Sequence, residues 1–480
     1  MSRVPLPFTQ RGAAAAVAAA LCLSLAAVPA RAKEDAAPEN LSKEGLSHSS
    51  AEAIARGEVA EETMPQAELT TTFLSLTGVR VTNMEDLLGP KTIGMGLGAG
   101  DLGAMAPLGD GTTGEFAIVF GDSFSSAKFG EGEWLSPAGV VGKYDEFGSI
   151  NVVRPLNSGA RVKQMVGYLH DDRTTLLPSD IINIDGALYM QAMWNRPFGN
   201  VSSTQVFRSD DDGKTWAKAG RPHYSRIQGF DDQISWEMGP DGYLYAVSTQ
   251  FSRSKPVYLW RANPEDIADQ SKWEIYNTNT RSWGGKGTAI LDRNADGSAV
   301  KAGEMNLRYI DGYWVLCMFN ESAAAVEVRI SDTLERDWND VPAVAIVKNG
   351  PWSAKQTPNN WSQPYGGYIV PGSTLNNMDV VISQWNTGDN SRYMSTRFNV
   401  TGLQRNASTY NPDAAPQTSK PELDITSRPA AAGGGSGSSD SAVTAAIILG
   451  VLAGAAGLAA LAWPVLRPLL PPQVQAALPF

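Results

Sequence analysis

Two aspartates, Asp101 and Asp122, have the residue type and spacing to do chemistry together. They flank a stretch that predicts a β-hairpin, with an inner strand from near Asp101, a turn over 109–114 and a return strand over 115–120. Strand pairing would bring both carboxylates to one end of the hairpin, where they could reach one substrate. One could act as an acid and the other as a base or nucleophile. The alternative is that both are turn or cap residues, a common fate of Asp beside Gly.

Four further stretches resemble the return strand, and three of them follow Asp-Gly turns, a strong hairpin signal. Each unit has about the size of a four-stranded blade. A Ser-x-Asp-x-Gly-x-Thr-Trp turn over 209–216 is a further fold signal typical of propellers. We therefore predict an all-β fold, a five-bladed β-propeller, with a β-sandwich as the alternative. The five matching strands cover 116–120, 187–194, 243–248, 313–319 and 378–385.

Polar and aromatic side chains recur where the inner strands begin and the second strands end. Indole faces and amide groups suit sugars, which offer an apolar ring face together with hydroxyl groups. Asp180 could instead cap a strand, and Asp232 could be only a turn residue. Glu304 and Arg308 could form an ordinary ion pair. The candidate substrate-binding residues are Asp180, Asp232, Glu304, Arg308, Asn320, Gln384, Trp385 and Asn386.

Composition excludes several function classes. The net charge is −11 without a basic run, so nucleic acid is not an expected partner, whereas a neutral polysaccharide suits this balance. The three histidines are isolated and predict no zinc site. The glycines over 94–100 lack the βαβ context of a nucleotide site. No cofactor is expected, although carboxylates near the axis are compatible with Ca²⁺.

The two ends of the chain predict export and anchoring. An apolar run ending in Ala30-Arg31-Ala32 is typical of a secretory signal peptide, and an uncharged run over 442–463 is long enough for a membrane helix. We expect a monomer held in the membrane with its catalytic domain outside the cell. The predicted segments are a signal peptide (1–32), an acidic disordered spacer (33–69), the propeller (70–405), a Pro/Gly/Ser-rich linker (406–441), the transmembrane helix (442–463) and a short cytoplasmic tail (464–480).

Motifs distributed along the chain resemble those of one known family. They are Gly100-Asp101-Leu102-Gly103, Phe120-Gly121-Asp122-Ser123-Phe124, Leu177-Pro178-Ser179-Asp180 and the stretch over 303–309. Together they resemble a family of actinobacterial secreted five-bladed propellers, long known only as a domain of unknown function. Members of that family are endo-D-arabinanases, glycoside hydrolases that cleave D-arabinan of the mycobacterial cell wall.

This resemblance covers roughly residues 79–400. It implies that Asp101 and Asp122 match the two essential aspartates of the family. It further implies that the substrate is the arabinan of arabinogalactan or lipoarabinomannan. Two alternatives remain open, a non-catalytic propeller that binds glycans and a glycosidase that acts on another furanoside.

Overall fold

The computed structural model describes residues 70–74, 78–413 and 419–426. The predicted signal peptide, acidic spacer, membrane helix and cytoplasmic tail lie outside these residues and stay predictions. Within the described ranges, the structure contains no helix whose length and hydropathy would let it cross a bilayer.

Strands make up most of the described chain, as the alternating and β-branched sequence patterns predict. One short α-helix, Pro90–Ile93, and short 3₁₀ turns at Pro264–Asp266, Gln270–Lys272, Trp338–Asp340 and Leu403–Asn406 are the helical elements of this part. The strands are β1 (Thr70–Leu74), β2 (Val79–Asp86), β3 (Ala99–Pro107), β4 (Glu115–Phe124), β5 (Trp134–Leu135), β6 (Ala138–Tyr144), β7 (Ile150–Pro155), β8 (Thr175–Ile184), β9 (Ala187–Asn195), β10 (Val201–Ser209), β11 (Ala217–Lys218), β12 (Gln233–Met238), β13 (Leu244–Thr249), β14 (Val257–Ala262), β15 (Glu274–Asn277), β16 (Ser282–Gly284), β17 (Lys286–Leu291), β18 (Ala302–Ile310), β19 (Tyr313–Asn320), β20 (Ala325–Ser331), β21 (Val344–Lys348), β22 (Pro364–Ile369), β23 (Asn377–Trp385), β24 (Tyr393–Thr401) and β25 (Glu422–Asp424).

These strands form five antiparallel sheets. Sheet A contains β3, β4, β6 and β7 with β5 beside β4, and sheet B contains β8 to β11. Sheet C contains β12 to β17 with β25, and sheet D contains β18 to β21. Sheet E joins β22, β23 and β24 to β2 and β1, so strands from both ends of the described chain complete one sheet. The all-β, propeller-like architecture predicted from the sequence is confirmed.

The sheets are linked in a ring by hydrogen bonds between a side chain of one sheet and the backbone of the next. In each case a buried or partly buried polar side chain bonds to a backbone N–H or C=O group of the neighbouring sheet that has no partner within its own sheet. The five bonds are Asn183 Nδ2 to Pro107 O (2.8 Å), Ile234 N to Ser179 Oγ (2.8 Å), Leu307 N to Ser235 Oγ (2.8 Å), Ile369 N to Asn306 Oδ1 (3.0 Å) and Leu102 N to Ser383 Oγ (2.8 Å).

The first strands of four sheets carry an irregularity near their starts. Register shifts occur between Gly100 and Leu102 in β3, and between Ala302 and Met305 in β18, with equivalents in β8 and β22. A bulge leaves one residue without a cross-strand partner and redirects its side chain. Asp101 and Glu304 are such unpaired residues, so the bulges determine where these two carboxyl groups point.

The domain extends beyond its predicted end at residue 405. Strand β25 pairs with β17, and Ile425 is buried against sheet C. Lys420 is also buried and forms ion pairs with Asp292 and Asp337. Residues 420–425, which lie within the predicted linker 406–441, therefore pack against the domain in the structure. The Pro- and Ser-rich composition around them concealed these few apolar and charged positions.

Candidate active site

The hairpin of β3 and β4 brings Asp101 and Asp122 to the same end of sheet A. Gly100 pairs with Ser123 and Leu102 pairs with Phe120, so the bulged Asp101 lies opposite the Gly121-Asp122 step. A Cβ at Gly121 would lie 2.5 Å from Asp101 Oδ1. The absence of a side chain at Gly121 therefore makes room for the Asp101 carboxyl group beside Asp122.

Asp101 is held by tyrosines from sheet E. Tyr365 donates a hydrogen bond from its hydroxyl to Asp101 Oδ2 at 3.0 Å, while Asp101 Oδ1 is buried and has no hydrogen-bond partner. Burial, followed by the nearby charge of Asp122, raises the pKa of Asp101 to about 8. Hydrogen bonds from Tyr393 and Tyr365 oppose this rise. Asp101 is therefore a carboxylic acid near neutral pH.

Asp122 has a more polar environment. Trp134 donates its indole N–H to Asp122 Oδ1 at 2.9 Å, and only 9% of the residue is exposed. Burial raises the pKa of Asp122 to about 6, and hydrogen bonds from Trp134, Ser136 and Thr175 limit the rise. Two adjacent carboxyl groups with separated pKa values can divide the roles of acid and base. Between about pH 6 and 8 the pair holds one proton, carried by Asp101.

Aromatic side chains line one side of this pair. We call Phe124, Phe129, Trp134, Trp385 and Tyr393 the aromatic wall. Phe129 stacks on Trp385 with ring centroids 4.5 Å apart, and its edge contacts with Phe124 and Tyr393 are both 4.9 Å. Trp385, a predicted binding residue, is half-buried in this wall, and its indole N–H bonds to Asn390. The wall supplies apolar faces next to the carboxyl pair.

Two further predicted acids lie at the same end of the ring. Asp232 directly precedes β12, and burial together with the adjacent Asp231 raises its pKa to about 8. Asp231 is bound by His223 at 2.9 Å and by Ser225, and it keeps a pKa below its ordinary value despite burial. Asp231 therefore supports the turn, whereas Asp232 supplies a neutral carboxyl group.

Glu304 has a different partner from the one that the sequence indicates. Arg253, from the loop between β13 and β14, donates to Glu304 Oε1 through Nε at 3.0 Å and through a second guanidinium nitrogen. Arg308 lies four residues further along β18, about 13 Å at the usual strand rise. The expected Glu304–Arg308 pair is thus wrong, although Glu304 does reach the predicted end of the ring.

Asp180 and Arg308 form an ion pair with each other. The Arg308 guanidinium contacts both carboxylate oxygens of Asp180 at 3.0 and 3.1 Å. Asp180 is fully buried and also accepts hydrogen bonds from Ser235 and the backbone of Ile181 and Trp236. Internal donors and acceptors thus already occupy both groups, which favours a structural role, and the substrate-binding roles of Asp180 and Arg308 stay predictions.

The opposite end of the ring contains a separate cavity of about 770 Å³. It is lined by later residues of the first strands, including Met105, Ile181, Arg308 and Ile369, together with Glu237. Burial raises the pKa of Glu237 to about 7. Arg308 therefore lies at the end of the ring opposite the Asp101–Asp122 pair.

The three amide residues predicted to bind substrate form hydrogen bonds that stabilise nearby strands and loops. Asn320 is fully buried between Asn294 and Glu327. Gln384 is 1% exposed; its amide donates to Gln356 and to the carbonyl of Ser362, and its carbonyl accepts from Arg392. Asn386 closes a turn through Gly388 and Ser391. A recurring polar position at the strand ends fixes loop geometry as readily as it binds ligand, and the sugar contacts of these three residues stay predictions.

Several site residues escaped sequence reasoning. Tyr365, Tyr393 and Arg253 come from another sheet or from a loop, and no local motif marks them. Trp134 lies in the same sheet as the carboxyl pair, on the short strand β5 beside β4. Across the described ranges, no group of three or more His, Cys, Asp or Glu side chains is arranged to hold a metal ion.

A profile of one protein family, described as "Domain of unknown function (DUF4185)", matches residues 89–401. The chain belongs to this family. A Mycolicibacterium smegmatis relative, an uncharacterized 35.9 kDa protein in the asd 3′ region, is 28% identical to this DUF4185 protein over 284 residues. That match covers 56% of this chain and 83% of the relative.

Solved structures resemble this DUF4185 protein in fold. A Bacteroides ovatus protein, described only as a candidate hydrolase, superposes with a TM-score of 0.50 at 13% identity, covering 72% of this chain and 98% of its own. The native arabinanase of Bacillus subtilis gives a TM-score of 0.40 at 13% identity, with 65% and 99% coverage. At these identities the likeness concerns the fold alone.

Proposed function

We propose that this DUF4185 protein is a glycoside hydrolase that cleaves the D-arabinan of cell-wall arabinogalactan and lipoarabinomannan. The observation that carries the proposal is the Asp101–Asp122 pair, two adjacent carboxyl groups with pKa values of about 8 and 6 beside an aromatic wall. The arabinan substrate rests on the motif resemblance of residues 100–103 and 120–124. We further propose an exported protein, held outside the cell by a membrane helix over 442–463.

The division of roles follows from the two protonation states. Asp101 gives its proton to the glycosidic oxygen as the bond to the anomeric carbon breaks, and Tyr365 fixes the carboxyl group through Oδ2. Asp122, ionised and oriented by Trp134, either attacks the anomeric carbon or takes a proton from the attacking water. Water finally supplies a hydroxyl group to the sugar and a proton to the acid pair.

Incubation of the purified full-length chain with arabinogalactan should release arabinose oligomers that mass spectrometry detects. An endo-acting enzyme gives a ladder of oligomers, whereas an exo-acting one gives a single small product. Retention on immobilised arabinogalactan without any released sugar would contradict the proposal and favour a glycan-binding propeller. In that case Trp385→Ala should weaken retention more than Asp122→Asn does.

The pH dependence of kcat/KM should be bell-shaped, with limbs near pH 6 and pH 8. Below about pH 6 Asp122 becomes protonated and loses its role as base or nucleophile, so the rate falls. Above about pH 8 Asp101 loses the proton that the leaving oxygen needs, so the rate falls again. Because the two carboxyl groups interact, the pH values of the two limbs are apparent pKa values of the pair. Initial rates on arabinogalactan between pH 4 and 10 would test this, and a rate that climbs steadily to pH 10 would contradict it.

A further inference from the structure

Two carboxylate oxygens at the proposed site are buried and have no hydrogen-bond donor. They are Asp101 Oδ1 on β3 and Glu304 Oε2 on β18, both on bulged residues. Glu304 is only 5% exposed, and its charge is one of the causes that raise the pKa of Asp101, so the two groups are near each other. A buried acceptor without a donor costs about 1–3 kcal/mol, so a hydroxyl donor from a bound substrate would be favourable at Glu304 Oε2.

Arg253 fixes the orientation of Glu304. Its guanidinium occupies Oε1 through two nitrogens, which leaves Oε2 as the only available oxygen. Arg253 has a left-handed backbone (φ 52°), and Gly303 leaves room for Phe319 and Arg253, because a Cβ there would lie 2.9 Å from Phe319 Cδ1 and 3.3 Å from Arg253 Cγ. A strained residue with a dedicated packing space is typical of a functional position.

Tyr365 connects this pair to the acid. The Arg253 guanidinium lies 4.9 Å from the Tyr365 ring centroid, and the Tyr365 hydroxyl donates to Asp101 Oδ2. Burial raises the pKa of Tyr365 well above its ordinary value, so its hydroxyl remains a donor. Asp101 is thus bound by Tyr365 and Tyr393, whereas Glu304 is held by Arg253 through Oε1 alone and keeps Oε2 without a donor.

The two acids differ in what they can offer a substrate. Asp101 carries a proton near neutral pH and can donate it, whereas Glu304 is bound to a guanidinium and is an acceptor. A neutral sugar offers hydroxyl donors. Beside an anomeric carbon that develops positive charge, a ring hydroxyl becomes a better donor, and its hydrogen bond strengthens in the transition state.

We infer that Glu304 Oε2 accepts a hydrogen bond from a ring hydroxyl of the furanosyl residue whose bond is cleaved, and that Arg253 is the positioning residue for Glu304. This inference rests on the proposed function. It assigns Glu304 to transition-state stabilisation rather than to proton transfer, and it places the sugar ring between sheets A and D.

The test combines Glu304→Gln with three aryl D-arabinofuranosides, the parent sugar and its 2-deoxy and 3-deoxy forms. On the parent sugar we expect kcat to fall by about 10²-fold, because the strengthened hydrogen bond is lost. On the deoxy sugar that lacks the bonded hydroxyl, Glu304→Gln should change kcat less than threefold. Such coupling between a side chain and a substrate group identifies a direct contact.

The matched control is Glu327→Gln, which makes the same change in a buried Glu–Arg pair of sheet D. Its effect should be equal on all three sugars. If Glu304→Gln also loses the same factor on all three, the inferred contact is wrong while the proposed function stands. If the wild-type chain hydrolyses none of the aryl sugars or arabinogalactan, the proposed function itself fails and this inference with it.

Arg253→Met should lower kcat more than it raises KM, and Arg253→Lys should recover part of the loss by restoring one charged donor. Arg261→Met is the control, since Arg261 also pairs with a glutamate and lies over aromatic rings, 4.7 Å from Tyr243 and 4.6 Å from Trp283. An Arg253→Met variant with wild-type kcat would overturn the positioning role.

Discussion

Asp101→Asn and Asp122→Asn should each lower hydrolysis by about 10³-fold or more and at the same time make the folded chain more stable. Loss of activity follows from removal of the acid or of the base. The gain in stability follows from the pKa values of about 8 and 6, which lie above the ordinary 3.8. At neutral pH the carboxyl group is ionised in the unfolded chain, so burying it lowers the free energy of unfolding. An asparagine does not ionise and avoids this loss.

The direction of the stability change follows from how tightly the folded and unfolded chains bind the Asp101 proton. The folded chain holds the Asp101 proton more tightly than the unfolded chain, so the favourable contribution of that carboxyl group is complete below about pH 3.8. It is lost as pH rises from 3.8 to 8, because the unfolded carboxyl group ionises first. At pH 7 the substitutions should increase the free energy of unfolding by about 1–4 kcal/mol for Asp101 and about 1–3 kcal/mol for Asp122.

Urea unfolding at pH 7 and pH 3.5 would measure this gain, which should vanish at the lower pH. Asp110→Asn is the control, because Asp110 is exposed in the β3–β4 turn and binds only Thr112. An aryl arabinofuranoside with a good leaving group separates the two roles. Asp101→Asn should retain much of its activity on this substrate, which needs no acid, and Asp122→Asn should not. A variant that is both fully active and less stable than the wild type would disprove the assignment.

The hairpin of β3 and β4 could be predicted because the sequence signals for it lie within the hairpin itself. Alternating apolar residues, a glycine-rich turn and a two-residue period place Asp101 and Asp122 at one end without reference to the rest of the chain. The same reasoning found the second strand of every sheet. The same pattern of aromatic residues at strand ends pointed to Trp385, which the structure places in the aromatic wall beside the Asp101–Asp122 pair.

Residues that act through distant partners could not be predicted in this way. Asp101 and Asp180 look alike in the sequence, since each is near the start of a first strand. They differ because Arg308, 128 residues away, forms an ion pair with Asp180, whereas burial and the nearby charge of Asp122 keep Asp101 protonated near neutral pH. Bulges are equally hidden in the sequence, and the register shift between Ala302 and Met305 leaves Glu304 without a cross-strand partner, with Arg253 from a loop of sheet C bound to it.

Asp180→Asn should have the opposite effect to Asp101→Asn and destabilise the fold by about 3–5 kcal/mol, as expected when a buried ion pair loses one partner. The Arg308 side chain is 13% exposed and would stay buried with only the more distant Glu237, 3.9 Å from its Nε, as a carboxyl partner. Ser235 and the Trp236 amide would lose an anionic acceptor.

The midpoint of urea unfolding would measure this loss, and kcat/KM of the folded protein should stay within about threefold of wild type, since Asp180 touches no substrate in this arrangement. The double variant Asp180→Leu/Arg308→Met is the matched comparison, because removing both charges avoids an unpaired ion and should recover most of the lost stability. If Asp180→Asn kept full stability and instead lost activity, Asp180 would belong to the catalytic group. Asp180 would then not be the structural counterpart of the reactive Asp101.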